Sequence, residues 1–247
     1  MKAGADQAAE ATCKNSTMFH PESSPKERFL LSQKWFAGLP PLTQKSVVAE
    51  TQVIHAHKGE RVLAAGELVQ GWYGVQSGLV KIEGTGGSKG GATFIGFSAG
   101  DWFGEGAVLK NEPRRYDVVA LRDTELLCVP SQTFWAMYKS DIGFNHCLID
   151  TLNHKLGQAM SVIDAERTRT PEQRVALSLS RLFWSRTRKL DLTQEELASF
   201  SGMARQTANR ALKELQNQGV ISLQMNRITV LDDRALMEIV RQDPKSQ

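Results

Sequence analysis

The pattern of apolar and polar positions first changes at Thr51, where short strand-like runs begin. From there to Pro130, runs of Val, Ile, Phe and Tyr alternate with glycines, as in the stretch VVALRDTELLCVP. Short apolar runs with regularly spaced turn residues predict antiparallel strands, and so many glycines favour a jelly roll. We therefore predict a jelly-roll domain over residues 28–139. The polar residues 1–27 are expected to be a disordered tail.

A long helix is predicted next, over residues 140–168. This segment lacks proline, and its apolar residues recur at alternating steps of three and four. That spacing forms one narrow seam along a helix. A helix packed on its own domain shows a similar period, but a seam this narrow on a helix this long favours a partner helix. We therefore expect a homodimer whose interface is formed by Ile149, Leu152, Leu156, Ala159 and Ile163.

Residues 169–247 follow the order of a winged helix-turn-helix domain, which makes the overall fold class α+β. A helix expected from Glu172 to Trp184 precedes LTQEELASFSGMARQTANRALKEL, where Gly202 separates two helical runs. Glycine permits the positive φ that a tight turn between crossing helices requires. The stretch GVISLQMNRITVLD then predicts two short strands around a turn at Met225 and Asn226.

The second helix of the pair, residues 204–217, has an unusually polar first half. Arg205, Gln206, Asn209 and Arg210 share one outward face, and these side chains can hydrogen-bond base edges in a major groove. The alternative is a solvated helix face. The charge distribution favours double-stranded DNA as the partner of this domain. Residues 171–247 hold 12 Lys and Arg against 9 Asp and Glu, so their net charge of +3 equals that of the entire chain.

From about Phe29 to Leu236, the chain resembles the Crp/Fnr family of transcription regulators. The resemblance rests on SGLVKI, GDWFGEGAVL, PRRYDVVALRDTELLCVP, DLTQEELASFSGMARQTANRALKELQNQGVI and ITVLD, in this order. It implies a homodimer with a cyclic-nucleotide-binding-like effector domain, a long dimerisation helix and a winged helix that binds a DNA site with twofold symmetry. It also implies contact with RNA polymerase.

Residue by residue, the resemblance assigns base reading to Arg205, Gln206 and Arg210. The family often has Glu at the position of Gln206. Glu only accepts hydrogen bonds, whereas Gln both donates and accepts and suits adenine. The operator is therefore expected to differ from the commonest one of the family. Thr193 and Thr207 would contact phosphates, which position a protein on DNA without reading its sequence.

The resemblance also places a candidate effector pocket at Gly104, Glu105, Arg115 and Tyr116. In cyclic-nucleotide-binding members, an Arg followed by Ser or Thr clamps the phosphate. Here Arg115, ten residues after Glu105, is followed by the bulky Tyr116 and by Asp117. A carboxylate beside a phosphate repels it, so we expect cyclic AMP not to bind tightly. The alternative for Glu105 and Arg115 is a buried ion pair that serves as scaffold.

Other cofactors have weaker support, and the identity of the effector stays open. The three cysteines are Cys13, Cys128 and Cys147. They are too few for the four thiolates of an iron–sulfur cluster, and their spacing fits a reducing cytoplasm better than a disulfide framework. Lone histidines are more often surface or core residues than haem or metal ligands; those considered are His55, His57, His146 and His154. A redox role for Cys128 or Cys147 is open, but nothing basic nearby marks a thiolate.

An enzyme is not expected, because paired carboxylates, nucleophile–base spacings and metal clusters do not stand out.

GTGGSKGG, residues 84–91, lacks the ending of a phosphate-binding loop and is expected to be a hairpin turn. Neither a signal peptide nor the ~18 apolar residues of a membrane span is found, so we expect a cytoplasmic protein. The alternative function is a ligand-binding module whose winged helix contacts protein, and the three base-reading side chains argue against it.

Overall fold

The structure, a computed structural model, describes residues 23–85, 93–225 and 227–242. Three short helices come first: α1 (Pro25–Leu31), α2 (Lys34–Ala37) and α3 (Pro41–Glu50). The first of them begins two residues before the end of the predicted tail. Its start is favoured because the Ser24 hydroxyl accepts a hydrogen bond from the Glu27 N–H at 3.2 Å, and Pro25 suits the first turn of a helix.

A jelly roll follows, as the alternating pattern predicts. Its strands are β1 (Gln52–Ala56), β2 (Arg61–Leu63), β3 (Gly71–Ser77), β4 (Leu79–Glu83), β5 (Thr93–Ser98), β6 (Trp102–Phe103), β7 (Asp117–Ala120) and β8 (Thr124–Pro130). Among the described residues they form two antiparallel sheets, in the orders β1-β8-β3-β6 and β2-β7-β4-β5. A short helix, α4 (Glu105–Lys110), follows β6. Apolar side chains such as Tyr73, Phe103 and Leu126 fill the space between the sheets.

The predicted hairpin turn at residues 84–91 lies between β4 and β5, which pair antiparallel with Leu79 opposite Ser98. Residues 86–92 are outside the part of the chain that the structure describes. The pairing of the two flanking strands is what a hairpin requires.

Two helices leave the jelly roll, α5 (Ser131–Ser140) and the long α6 (Ile142–Thr168). The helix predicted at residues 140–168 thus begins after Asp141, whose carboxylate caps it by accepting from the Phe144 N–H at 2.6 Å. One face of α6 buries Phe144 and Leu148 against tryptophans of the N-terminal half, such as Trp35 and Trp72. Near its other end, Ala165 joins the core of the C-terminal domain.

The C-terminal domain is a winged helix. Its elements in chain order are α7 (Pro171–Ser178), β9 (Lys189–Leu190), α8 (Gln194–Phe200), α9 (Arg205–Asn217), β10 (Ile221–Gln224), β11 (Arg227–Val230) and α10 (Asp233–Arg241). The strands form a sheet in the order β10-β11-β9, so the predicted hairpin gains a strand. Asn226, half of the predicted turn, lies outside the described residues.

The helix expected from Glu172 to Trp184 ends early, at Ser178. The chain turns back there, so that the Trp184 indole N–H donates to the Ser178 carbonyl at 2.8 Å. Neither β9 nor α10 was expected from the sequence pattern. Among the described residues, no helix combines the length and apolar character of a membrane span.

Candidate DNA interface and effector cavity

The helix-turn-helix is built from local signals in the sequence. Thr193 caps α8, because its hydroxyl accepts from the Glu196 N–H at 3.1 Å and its own N–H donates to the Glu196 carboxylate at 2.8 Å. This reciprocal pair is a capping box. Gly202 has φ of +61° in the turn, a conformation that strains residues with a side chain. Ala198 and Ala208 are buried where the helices meet.

The recognition helix α9 presents Arg205, Gln206 and Arg210 to solvent, as predicted. The guanidinium of Arg205 lies 3.6 Å from the carboxylate of Glu195 on α8, and both side chains are mostly exposed. An exposed ion pair is worth only ~0–1 kcal/mol. Arg205 can therefore exchange this carboxylate for the two acceptors of a guanine at little cost.

The other predicted DNA contacts are less open. Thr207 and Asn209 are only partly exposed, and the amide oxygen of Asn209 is buried without a hydrogen-bond partner among the described residues. Asn209 therefore lies at the margin of the recognition face. Thr193 uses its hydroxyl oxygen in the helix cap, but its O–H can still donate to a phosphate.

A groove of about 530 Å³ runs between the N-terminus of α8, Arg205 and the hairpin of β10 and β11. Gln224, Met225 and Arg227 line its far side, and Met225 at the hairpin tip is 94% exposed. These three residues were not among the DNA contacts predicted from the sequence. The predicted β-hairpin could have indicated them, because the tip of the hairpin lies beside the recognition helix.

The jelly roll, α6 and the helix-turn-helix together enclose a cavity of about 950 Å³, which we call the effector cavity. The predicted residues Gly104, Glu105 and Tyr116 line it. Its other lining residues are Ile82, Ile95, Phe97, Phe103, Gly106, Lys155, Gln158, Ala159, Val162, Ile163, Glu166, Phe183, Ala198, Ser199, Phe200, Gly202 and Met203. Most are apolar, and the last five belong to the helix-turn-helix.

Glu105 pairs with Lys155 of α6, whose ammonium group donates to the Glu105 carboxylate at 2.6 Å and to the Trp102 carbonyl at 2.8 Å. The alternative of a buried ion pair between Glu105 and Arg115 is therefore wrong. Arg115 is 74% exposed and pairs with Glu112 at 2.8 Å. The chain enters β7 here, and successive side chains of an extended strand point to opposite faces. The side chain of Tyr116 therefore points toward the effector cavity, and those of Arg115 and Asp117 point away from it.

Asp117 is likewise turned away from the cavity. Its carboxylate accepts from the Ala65 N–H at 2.7 Å and lies 3.6 Å from the guanidinium of Arg61. The expectation that this carboxylate would repel a phosphate in the effector pocket is thus corrected. Of Tyr116 and Asp117, only Tyr116 lines the effector cavity.

Arg114 is the buried arginine of the Arg114-Arg115 tandem, and sequence reasoning missed it. Its guanidinium carbon lies 5.2 Å from the centre of the Tyr73 ring. Its Nε and Nη1 have no hydrogen-bond partner among the described residues. Burial raises the pKa of Tyr116, the charge of Glu105 raises it further, and the charge of Arg114 opposes both. These groups therefore share one electrostatic environment.

The cysteines and histidines that the structure describes do not form a shared site. Burial raises the pKa of the Cys128 thiol, which keeps it protonated beside Tyr73, and Cys13 lies outside the described residues. His55 and His57 lie at the surface, 3.5 Å from Glu125 and 3.7 Å from Asp123 respectively. Within the described ranges, no three His, Cys, Asp or Glu side chains are grouped as metal ligands.

Comparison with known proteins supports both halves of this architecture. The model of the cyclic nucleotide-binding domain matches residues 53–141, and that of the Crp-like helix-turn-helix domain matches residues 173–239. The cyclic AMP receptor protein of Thermus thermophilus is 30% identical over 185 residues, which cover 74% of this chain and 85% of that protein. The chain belongs to the Crp/Fnr family.

Further relatives agree with this placement. The CRP-like cAMP-activated global transcriptional regulator of Mycobacterium tuberculosis is 26% identical over 217 residues, 83% of this chain and 96% of that protein. A CRP/FNR-family transcriptional regulator from Thermus thermophilus has 26% identity and a TM-score of 0.60, covering 77% of this chain and 99% of that one. FixK2 from Bradyrhizobium japonicum, at 20% identity, shares the fold with a TM-score of 0.66 over 78% of this chain and 98% of its own.

Membership of the Crp/Fnr family makes this chain a transcription regulator with a helix-turn-helix DNA-binding domain. Crp/Fnr proteins are regulators and not enzymes, as the sequence predicted. The α+β fold class is also confirmed, with its jelly roll, long helix and winged helix-turn-helix. Protein contact as the main role of the winged helix is not favoured.

Proposed function

We propose that this regulator is a homodimer that reads an inverted-repeat operator through α9, under the control of a signal received in the jelly roll. The observation that carries the proposal is the exposure of Arg205, Gln206 and Arg210 on one face of the recognition helix. These side chains supply the donors and the acceptor that base edges require. The protein would act in the cytoplasm, and RNA polymerase is the partner that family membership implies.

Support for the homodimer comes from a stripe of exposed apolar side chains on α6. Ile142, Ile149, Leu156 and Ile163 recur every seven residues, and each is more than half exposed. A seven-residue repeat is the period of paired helices. Burying such a side chain contributes ~1.5–3 kcal/mol. The exposed Ala159 would let two backbones approach closely.

Leu152 belongs to the predicted interface but has a second role. It is partly buried and packs against the core that contains Trp35, Trp72 and Phe144 of its own chain. Its apolar surface is therefore shared between the effector domain and the proposed partner helix. Ile149 and Leu156 depend more fully on a second chain, whereas Ile163 also lines the effector cavity.

For the signal, we propose a small molecule other than cyclic AMP in the effector cavity. A volume near 950 Å³ suits a small-molecule ligand. Two observations argue against the cyclic nucleotide. Lys155 already binds one oxygen of Glu105, and the bulky Tyr116 lies in the cavity wall.

The test is selection of binding sites from randomised double-stranded DNA with the wild-type chain. We expect an inverted repeat whose half-sites lie about 10 base pairs apart, or a multiple of that, centre to centre. Light scattering of the complex should give two chains per site. If selection enriches no sequence while the protein is folded, the alternative of a regulatory module that contacts protein would replace this proposal.

A further inference from the structure

A bidentate ion pair joins the effector domain to the DNA-binding domain. Arg122, in the turn between β7 and β8, donates from Nη1 to Glu196 Oε1 at 2.7 Å and from Nη2 to Glu196 Oε2 at 2.9 Å. Its Nη2 also donates to the carbonyl of Asp191. The two side chains are 25% and 14% exposed. Water therefore screens this pair less than it screens the exposed pair of Arg205 and Glu195. A guanidinium fork that meets both carboxylate oxygens also fixes the angle between its partners.

Neighbouring contacts dock the same helix on the same sheet. The ring of Phe200 on α8 lies against Gly96 of β5, where an added Cβ would come within 2.9 Å of the ring. Only glycine allows this approach without a shift. The segment between α7 and β9 adds two contacts, because the Arg186 guanidinium covers Gly100 and the Leu182 carbonyl accepts from Gln158 of α6 at 2.6 Å.

The covalent connection between the two domains cannot set their angle alone. Arg169 and Thr170, between α6 and α7, have extended backbone conformations. Two extended residues provide torsions about which a domain can swing. The orientation of α9 relative to α6 therefore depends on non-covalent contacts, among which the Arg122–Glu196 pair is charged and directional.

Docking does not cover the recognition face. Arg205, Gln206 and Arg210 stay exposed while Arg122 holds Glu196. The carboxylate of Glu196 also completes the capping box of α8, so the pair acts on the first turn of that helix. A contact that holds α8 without hiding α9 leaves the recognition face open to DNA, so its effect is on the orientation of the DNA-binding domain.

We propose that Arg122 is a positioning residue for DNA recognition. Through Glu196 it fixes the angle of α9 relative to α6, and so the distance between the two recognition helices of the dimer. This inference rests on the proposed function, because it requires a dimer on an inverted repeat. It adds a determinant of half-site spacing that lies in the effector domain, outside the DNA interface.

The distance between the two recognition helices matters because the dimer binds DNA bivalently. Once one recognition helix is bound, the second binds as if at high local concentration, provided that its distance matches the other half-site. A loosely held domain spends less time at that distance. Loss of the pair should then weaken binding to the full repeat, leave a single half-site almost unaffected, and broaden the tolerated spacing.

The experiment compares wild type, Arg122→Ala, Arg122→Lys and a matched control, Arg61→Ala. Arg61 also lies in the jelly roll and carries the same charge, but it pairs within its own domain, with Asp117. Fluorescence anisotropy would measure the affinity of each full-length protein for three kinds of DNA. These are the inverted repeat that wild type selects, a single half-site, and repeats with spacers changed by one or two base pairs.

For Arg122→Ala we expect about a tenfold loss on the best repeat, a change within about twofold on the half-site, and a flattened spacing profile. Arg122→Lys should fall between, because an ammonium group lacks the fork. Arg61→Ala should match wild type. Equal losses on repeat and half-site, an unchanged spacing profile, or tighter binding by Arg122→Ala would each overturn the positioning role. Failure of the wild type to select any repeat would be a separate result that removes the proposed function itself.

Discussion

Three exposed side chains on α9 differ in the hydrogen bonds that they offer to a base. Arg205 and Arg210 only donate, and a guanidinium matches the O6 and N7 acceptors of guanine. Gln206 offers a donor and an acceptor, which matches adenine N6 and N7. We therefore expect a guanine opposite each arginine and an adenine opposite Gln206 in the operator.

Arg205→Ala and Arg210→Ala should each cost about 1–3 kcal/mol per lost bidentate contact and relax the preference for one guanine. A dimer presents each arginine twice, so the loss should occur in both halves of the repeat. Thr207→Ala is the control, because loss of a phosphate contact weakens binding to all sequences alike. Randomised-site selection with anisotropy measures both effects. If Arg210→Ala keeps the selected motif and its affinity, α9 is not the recognition helix.

Gln206→Glu should move the preference at its own position from adenine toward cytosine on the contacted strand. A carboxylate accepts from cytosine N4 but cannot donate to adenine N7. Gln206→Ala, which offers neither group, should lose the preference without acquiring another. The same selection measures both variants, and retention of adenine by the glutamate variant would refute this assignment.

Helix α6 carries two apolar faces with different environments. One face packs into its own chain through Phe144 and Leu148, while Leu156, Met160 and Ile163 remain exposed on another. Leaving several large apolar side chains in water on one stripe is typical of an interaction surface. The second face is where the proposed dimer forms.

Replacing Ile149 and Leu156 together with Asp should give monomers. In a dimer the new carboxylates would be buried without partners, at a cost of several kcal/mol. These positions are better suited than Leu152, whose replacement would also disturb the core of the effector domain. His154→Asp adds a carboxylate to the opposite face of α6 and should leave the dimer intact. Sedimentation velocity distinguishes the two states, and a double variant that stays dimeric would contradict the interface.

The two domains and α6 meet at the effector cavity, and the two domains also meet at the Arg122–Glu196 pair. Burial alone would raise the pKa of Glu196, but hydrogen bonds from Arg122 and Thr193 outweigh burial and lower the pKa below its usual value. A carboxylate whose pKa is lowered on folding stabilises the fold while it is ionised. The Arg122–Glu196 pair therefore contributes both to the free energy of unfolding and to the arrangement of the two domains.

Glu196→Gln should therefore reduce the free energy of unfolding at neutral pH, by ~1–3 kcal/mol for a charged hydrogen bond. The contribution of Glu196 is fully present above the ordinary glutamate pKa of about 4.3 and is lost as the pH falls through the lower folded value. Gln also fits a capping box, so the helix cap is retained. Urea unfolding between about pH 7 and pH 3 should show the gap between the two proteins closing only at the acid end. Glu238→Gln, which removes an exposed pair with Arg234, should have little effect; a gap that does not depend on pH would contradict the ionic origin.

Cyclic AMP should not bind tightly. The Tyr116 phenol lies in the cavity wall, and Lys155 already binds one oxygen of Glu105. Isothermal titration calorimetry measures the affinity, with the Thermus thermophilus cyclic AMP receptor protein as the positive control. Micromolar or better affinity would show that the cavity rearranges to accept the nucleotide.

Local sequence was sufficient for the types and order of most elements. Residues 204–217 were expected as the recognition helix, which spans Arg205–Asn217, and the long helix expected at 140–168 spans Ile142–Thr168. Periodicity, a capping Asp or Thr and a turn glycine act within a few residues, so they can be read without the fold. The exposed face of α9 follows from the helical period alone.

Contacts between distant segments were beyond the reach of the sequence. Glu105 and Lys155 are 50 residues apart, and Arg122 and Glu196 are 74 apart. The choice of Arg114 over Arg115 as the buried arginine also had no local signal, because a shift of one residue in an extended segment turns every side chain to the opposite face. The sheet in which β7 pairs sets that register. Packing of β7 between β2 and β4 therefore decides which arginine is buried, and the docking of α8 on β5 decides which carboxylate Arg122 meets.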